Sequence, residues 1–314
     1  MARYRDSFPH VDALVMLAYV GMETDLIFTQ GIDLPGFASY PLLEHADGRQ
    51  RLLTYYRDLI TLGTQENAGV ILESPTWVAN RDRGAELGYT PETLMRLNQE
   101  ALALMAQARV QFGDAPTVLS ANIGPRNDAY APDVQMTADA AEQYHAEQIS
   151  ALAQTEVDVI SAYTLAYPAE AIGITRTARH HGLPVVIAFT VETDGRLPTG
   201  ASLQDAIAEV DAATDAYAAY FMINCAHPDH FEGALSDAAW MSRVKGLVAN
   251  ASRCSHAELD NADTLDDGDP EELADQLAGL KTRFPHLQVF GGCCGTDMRH
   301  MTRIAKAVRQ ATSE

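Results

Sequence analysis

Basic residues are scarce in this sequence of 314 residues. Lysine and arginine together number 22, whereas aspartate and glutamate number 43, so the formal net charge is −21 at pH 7. A surface that binds phosphate groups needs the opposite sign of charge. The composition therefore argues against nucleic acid and anionic membranes as partners, and we interpret the acidity as a contribution to solubility.

Cysteine is also scarce, and long apolar runs are missing. Four cysteines in a chain of this length do not make a disulfide framework. The first six residues lack the apolar core of a signal peptide, and the apolar run 13–20 is too short to span a bilayer. We therefore expect a soluble, cytoplasmic protein with no membrane partner, and the sequence leaves a homo-oligomer open.

The chain does contain a regular alternation of short apolar runs and longer amphipathic segments. Eight runs have the composition of strands, and eight helical stretches alternate with them. This count predicts a (β/α)8 TIM barrel in a single domain over residues 1–314. The predicted strands cover residues 13–20, 69–73, 117–122, 157–162, 184–189, 219–225, 246–250 and 289–291.

Two adjacent cysteines, Cys293 and Cys294, stand between glycines at the end of the eighth apolar run, and Cys225 ends the sixth. Glycines remove side-chain bulk and permit unusual backbone angles, so both neighbouring thiols can turn toward one point. Chemistry in a TIM barrel sits at the C-terminal ends of strands, where all three cysteines fall. Three thiolates suit Zn²⁺ and leave one tetrahedral position open, as in a catalytic zinc site.

Asn224-Cys225 and the Gly-Gly-Cys-Cys-Gly run at 291–295 resemble the motifs of the zinc-dependent homocysteine S-methyltransferase family. The resemblance extends from about residue 21 nearly to the C-terminus. It implies the same barrel fold, zinc bound by Cys225, Cys293 and Cys294, and an acceptor thiol as the fourth ligand. It also implies methyl transfer from a sulfonium or betaine-type donor to that thiol, with homocysteine giving methionine as the family default.

Zinc would activate the acceptor, because a free thiol has a pKa near 8.5 and only the thiolate is a good nucleophile. The donor is expected to be a cation, so aromatic rings at strand ends are candidate contacts, each worth roughly 0.5–2 kcal/mol through cation–π attraction. Carboxylates and amides at strand ends are further candidates. The predicted substrate-binding residues are Glu23, Thr24, Glu73, Trp77, Asn122, Tyr163 and Asn224.

Two positions depart from the family pattern. Tyr19 stands where the first strand of the family ends in aspartate, and Tyr163 replaces the glutamate of the Glu-Thr pair on the fourth strand. In the family these carboxylates help to hold the amino group of homocysteine, and each lost charge-assisted hydrogen bond is worth roughly 1.5–3 kcal/mol. The departures favour a second hypothesis, in which the acceptor is a different thiol or a selenol.

A third hypothesis, of another class, is a non-catalytic barrel protein that binds zinc and a thiol. A zinc hydrolase is disfavoured, because three thiolates suppress the Lewis acidity of the metal. His227 is predicted not to be a ligand, since three sulfurs suffice, and Cys254 is predicted to be a free thiol. The acidic stretch 258–269 is predicted to be a loop at the same barrel end, in a position from which it could fold over the site.

Overall fold

Eight parallel strands close into a barrel in the computed structural model, which describes residues 2–6 and 14–313. Each strand pairs with the next along the chain, and β1 closes the ring by pairing with β8. This topology confirms the predicted (β/α)8 fold, although residue 13 of the first predicted strand lies outside the described residues. The strands are β1 Met16–Ala18, β2 Gly69–Glu73, β3 Thr117–Ile123, β4 Val159–Leu165, β5 Val185–Phe189, β6 Tyr220–Asn224, β7 Val244–Ala249 and β8 Val289–Gly292.

Helices follow the strands and cover the outside of the barrel. Their starts use ordinary capping chemistry: the side chains of Thr90, Thr137 and Ser202 each accept a backbone N–H from the first helical turn. Between residues 14 and 313 the helices are α1 Met22–Thr24, α2 Ala46–Gln65, α3 Arg81–Glu86, α4 Pro91–Phe112, α5 Ala138–Ala153, α6 Pro168–His180, α7 Leu203–Thr214, α8 Pro228–Phe231, α9 His256–Asp260, α10 Pro270–Arg283 and α11 Met298–Ser313.

The apolar side chains form two layers, one between the sheet and the helices and one inside the barrel. The inner layer is a packed core whose buried residues come from all around the ring, among them Met16, Ile71, Val118, Val186 and Val289. Open space for a ligand is therefore confined to the ends of the barrel.

The fourth strand begins and ends later than the predicted 157–162. Asp158 is fully buried, and its carboxylate accepts hydrogen bonds from Arg109 and from the backbone N–H groups of Tyr4 and Leu119. These buried hydrogen bonds fix Asp158 just before the first residue of β4, Val159. At the other end the pairing with β5 shifts register before Leu165, so β4 continues past the predicted end.

The predicted loop 258–269 was wrong in its first three residues, which belong to α9. Ser255 caps this helix. The carboxylate of Glu258 in turn accepts a hydrogen bond from the backbone N–H of Ser255, which completes a capping box. The remaining residues, 261–269, form the loop that was predicted. No helix in the described ranges is long and apolar enough to cross a membrane.

Candidate metal centre

The structure brings Cys225, Cys293 and Cys294 together at the C-terminal end of the barrel. Their sulfur atoms all lie within 4.8 Å of one another, and the sulfurs of Cys225 and Cys294 are 3.6 Å apart. Tetrahedral zinc with Zn–S bonds of about 2.3 Å separates its sulfur ligands by about 3.8 Å. The three sulfurs, which we call the sulfur cluster, therefore suit a zinc ion in both chemistry and spacing.

Cys225 reaches this point through an unusual backbone conformation. It follows β6 directly and has a φ of +56°, in the left-handed region that side-chain-bearing residues rarely occupy. Three hydrogen bonds hold it there: its N–H donates to Val248 O at 3.0 Å, and its carbonyl accepts from His256 Nε2 at 2.6 Å and from Thr190 Oγ1 at 3.4 Å. Such a conformation at a candidate ligand indicates a functional demand on the backbone.

The double cysteine depends on the glycines before it. A Cβ atom on Gly291 would collide with the carbonyl oxygen of Ala18, and one on Gly292 would collide with the side chain of Thr296. Thr296 in turn donates its hydroxyl to the carbonyl of Cys293 at 2.7 Å. Close packing against β1 therefore requires Gly291, and close packing against Thr296 requires Gly292.

The three sulfurs influence one another's ionisation. Hydrogen bonds from Cys293 and Cys294 hold the pKa of Cys225 well below its usual value. The same hydrogen bonds raise the pKa values of Cys293 and Cys294, and burial adds to the increase. Cys225 is thus the first of the three thiols to lose its proton.

Two further residues at the cluster were not found from the sequence. The hydroxyl of Tyr130 lies 2.9 Å from the sulfur of Cys225, and its ring stacks on His256 with centroids 3.9 Å apart. His256 Nδ1 lies 3.1 Å from a carboxylate oxygen of Glu192. Nothing in the sequence singles out Tyr130, whereas the capping signal at Ser255 marks the short helix that carries His256.

A cavity of about 390 Å³, the outer cavity, opens beside the sulfur cluster and reaches Cys294. A small inner pocket of about 40 Å³ adjoins it and touches all three sulfurs. Trp77 and Tyr130 line both spaces. The outer cavity also carries aromatic and acidic side chains, among them Phe28, Phe37, His256, Asp128, Asp260 and Asp266.

Two predicted substrate contacts, Glu23 and Glu73, are buried carboxylates bonded to tyrosines. Tyr19 donates its hydroxyl to Glu23 Oε2, and Ser39 donates to Glu23 Oε1 at 2.7 Å. Tyr163 donates to Glu73 Oε1 at 3.2 Å, and Glu73 Oε2 has no hydrogen-bond partner. Burial raises the pKa of Glu23 and raises that of Glu73 to about 8.

Asn122 and Trp77 face the substrate spaces. Asn122 is buried in the wall of the inner pocket, and its amide oxygen has no hydrogen-bond partner. The indole N–H of Trp77 donates to the carbonyl of Tyr163 at 3.2 Å, which fixes the ring between the two spaces. Both residues are placed where a ligand would touch them.

Thr24 and Asn224 also line the inner pocket, but their polar groups bind protein. The hydroxyl of Thr24 donates to Gly21 O and accepts from Gly295 N at 3.1 Å, so it ties the first loop to the double cysteine. The amide of Asn224 makes two hydrogen bonds to Thr164, which has a φ of +63°. The geometry therefore gives both residues a positioning role.

His227 and Cys254 lie outside the sulfur cluster. The ring of His227 accepts the N–H of Asp229 at 3.2 Å and caps α8, and burial lowers its pKa to about 4. The sulfur of Cys254 lies 3.9 Å from a carboxylate oxygen of Asp266. Neither residue is brought to the three sulfurs.

Comparison with known proteins shows the family. The profile described as homocysteine S-methyltransferase matches residues 21–308. Methionine synthase from Mycobacterium leprae is 31% identical over 144 residues, a match that covers 43% of this chain and 11% of that much longer protein.

Solved structures of the homocysteine methyltransferase MmuM from Escherichia coli share the fold. Its metallated form is 17% identical, with a TM-score of 0.70 and coverage of 94% of this chain and 96% of that one. Its oxidized form is 18% identical, also with a TM-score of 0.70, over 93% and 94% of the two chains. The profile match, which spans most of the sequence, confirms the resemblance inferred from the cysteine motifs. The chain belongs to the homocysteine S-methyltransferase family.

Proposed function

We propose that this protein is a zinc-dependent S-methyltransferase, formed by one barrel domain over residues 1–314. It would move a methyl group from a sulfonium or betaine-type donor to a thiol. The observation that carries the proposal is the sulfur cluster itself: three sulfurs within 4.8 Å of one another beside a cavity of about 390 Å³. Family membership supports the reaction class.

Cys225, Cys293 and Cys294 would hold the zinc ion. When bound, zinc would lower the pKa of an acceptor thiol so that it attacks as a thiolate at neutral pH. The chain keeps the three sulfurs in place through the hydrogen bonds of Thr24, Thr296 and His256. This preorganisation lets the metal bind without rearranging the backbone.

The outer cavity suits a cationic methyl donor. Trp77 offers a ring for cation–π attraction, worth roughly 0.5–2 kcal/mol, at the boundary between the cavity and the inner pocket. Asp128, Asp260 and Asp266 place negative charge around the same space. A donor held there faces the sulfur cluster, and productive attack requires the reacting atoms to come within about 3–3.5 Å.

Homocysteine is the default acceptor of the family, with methionine as product. A different thiol or a selenol is the second candidate, and the two tyrosine–carboxylate pairs favour it. The family clamp needs anionic carboxylates, whereas Glu73, with a pKa of about 8, is neutral at pH 7. A zinc- and thiol-binding protein without catalysis is the alternative that an assay has to exclude.

The test compares wild type with Cys294→Ala and with the matched control Cys254→Ser, all purified under reducing conditions. We expect about one zinc per chain in wild type and control and almost none in Cys294→Ala. Methylation of homocysteine and other thiols is then followed with trimethylsulfonium and glycine betaine as donors. A wild-type protein without zinc contradicts the proposal, and zinc without methylation of any thiol supports the non-catalytic alternative.

We also propose that the protein works in the cytoplasm. Cysteine ligands stay usable only where thiols remain reduced, as in the cytoplasm. All four cysteines are free in the structure, including the pair whose sulfurs lie 3.6 Å apart. Small-molecule partners, a thiol and a cationic donor, complete the proposal.

A further inference from the structure

The inner pocket has little negative charge to offer a substrate apart from the sulfurs themselves. Among the described residues that line it, Glu23 is the one carboxylate. The remaining lining side chains are aromatic, amide or hydroxyl groups. Within the inner pocket, a positively charged acceptor would therefore meet a carboxylate only at Glu23.

Glu23 is already engaged on both oxygens. Tyr19 donates to Oε2 and Ser39 donates to Oε1 at 2.7 Å, and the carboxylate is only 5% exposed. An ammonium group would have to share this buried carboxylate with the Tyr19 and Ser39 hydroxyls, which already occupy one acceptor site on each oxygen. The first carboxylate is thus less available to an amino group than a free carboxylate would be.

Glu73 lies behind Tyr163 and does not line the inner pocket. Its free oxygen, Oε2, is buried, and burial raises the pKa of this carboxyl to about 8. Tyr163 occupies the position from which a substrate would approach. The second carboxylate is therefore both screened and uncharged at neutral pH.

Resting on the proposed function, we propose that the acceptor is a short thiol that carries no ammonium group. Tyr19 and Tyr163 are the residues that set this preference, because each binds its phenol hydroxyl to a buried carboxylate beside the pocket. This deepens the proposed activity by naming the chemical class of its acceptor. Homocysteine then becomes a poor substrate of this enzyme.

Asn122 offers a hydrogen-bond acceptor to a neutral polar group on the acceptor thiol. The amide oxygen of Asn122 is buried in the wall of the inner pocket and accepts no hydrogen bond from the protein. An unpaired buried acceptor is costly, and a hydroxyl group on the ligand would satisfy it. A hydroxyl-bearing thiol therefore fits the pocket better than a purely apolar one.

The test uses pairs of thiols that differ in one group. Cysteamine and 2-mercaptoethanol differ in ammonium against hydroxyl, and homocysteine and 4-mercaptobutyrate differ in the amino group alone. With the zinc-loaded protein and trimethylsulfonium as donor, we expect kcat/KM to favour the thiol without ammonium by at least about tenfold in each pair. Rates are corrected for the thiolate fraction of each compound.

Tyr19→Phe sharpens the test, because it removes the hydroxyl that occupies Glu23 Oε2. We expect it to reduce the preference against ammonium by at least about fivefold, whether or not the absolute rates fall. Tyr217→Phe is the matched control: its hydroxyl binds Leu183 O, away from both pockets. The control should leave the ratio unchanged, and an equal ratio in Tyr19→Phe and wild type would overturn the assigned role of Tyr19.

Failure of this inference is distinguishable from failure of the proposed function. Preferential methylation of homocysteine over 4-mercaptobutyrate overturns the inference and leaves the methyltransferase standing. If no thiol is methylated although zinc is present, the proposed function fails. The affinities of the same thiol pairs, measured by calorimetry, then test the inference separately. Tighter binding of the ammonium-bearing thiols would then overturn the inference as well.

Discussion

The two sides of the inner pocket differ in how closely they follow the family pattern. On one side, the sulfur cluster stands on the family motifs, with glycines and a left-handed Cys225 that turn the thiols toward one point. On the other side, Tyr19 and Tyr163, which bind Glu23 and Glu73, stand where the family pattern predicts carboxylates. The residues proposed to bind the metal and those proposed to select the substrate therefore follow the family pattern to different degrees.

This difference indicates that the two sides of the pocket differ in how many amino-acid substitutions they tolerate. The sulfur cluster requires close backbone approach between β8 and β1, so few side chains are compatible with it. The tyrosine–carboxylate pairs, in contrast, are joined by side-chain hydrogen bonds. We therefore expect substitutions in these pairs to change charge with less effect on the barrel than substitutions of the glycines.

The largest predicted effect comes from adding one carbon beneath the sulfur cluster. Gly291→Ala would place its Cβ against the carbonyl oxygen of Ala18, so we expect a loss of at least about 4 kcal/mol in the free energy of unfolding, together with loss of zinc. Gly279→Ala is the matched control. Its Cβ would meet no atom within 4 Å inside α10, and the substitution should stabilise the protein by roughly 0.5–1 kcal/mol. Urea unfolding and metal analysis measure both, and similar stabilities would refute the requirement for close approach.

The second prediction concerns pH and the other side of the pocket. The pKa of Glu73 is about 8 when folded, against an ordinary value of 4.5, so the unfolded chain loses its proton first. The contribution of Glu73 to the free energy of unfolding should then fall as pH rises from about 4.5 to about 8. Glu73→Gln removes this contribution, so we expect its stability relative to wild type to increase by about 4 kcal/mol across that window.

Urea unfolding at pH 5 and pH 8 measures the effect of Glu73→Gln. The exposed Glu209 on α7 provides a control, Glu209→Gln, which should follow the wild-type pH dependence. Zinc content should remain unchanged in both variants, because neither residue belongs to the sulfur cluster. Identical pH dependence in the two glutamine variants would show that Glu73 ionises normally.

The smallest effect is expected at Tyr130, whose hydroxyl contacts the sulfur cluster. Tyr130→Phe removes the hydroxyl that lies 2.9 Å from the sulfur of Cys225, while the ring can still stack on His256. We expect zinc to be retained with an affinity up to about tenfold weaker, which is about 1.4 kcal/mol, as measured by competition with a chromogenic chelator. Tyr89→Phe, whose hydroxyl binds Glu44, is the control. Complete loss of zinc in Tyr130→Phe would make Tyr130 part of the metal site itself.

Much of the fold and the sulfur cluster could be predicted from the sequence. The strands are short apolar runs between amphipathic segments, and Cys225, Cys293 and Cys294 follow two of them, so the barrel geometry brings them to one end. The error at β4 arose because Val157, two residues before the strand, has the composition of a strand residue. A buried carboxylate with partners on distant elements holds residue 158 outside the strand.

The contacts over the cluster could not be predicted in the same way. Tyr130 lies in an irregular loop without periodic pattern, and its proximity to Cys225 depends on how that loop folds across the barrel mouth. His256 is placed by the tertiary contacts of its ring with Glu192 and with the carbonyl of Cys225. Such contacts join residues far apart in the chain, for which local propensity carries no information.

The pairing of β1 with β8 has a consequence for biosynthesis. Met16 pairs with Val289, so the ring cannot close until the ribosome has passed residue 289, more than 270 residues after β1 has been made. Cys225 is likewise synthesised well before Cys293 and Cys294, which follow the closing strand. Under the proposed function, the zinc site would therefore form only after synthesis has passed residue 294.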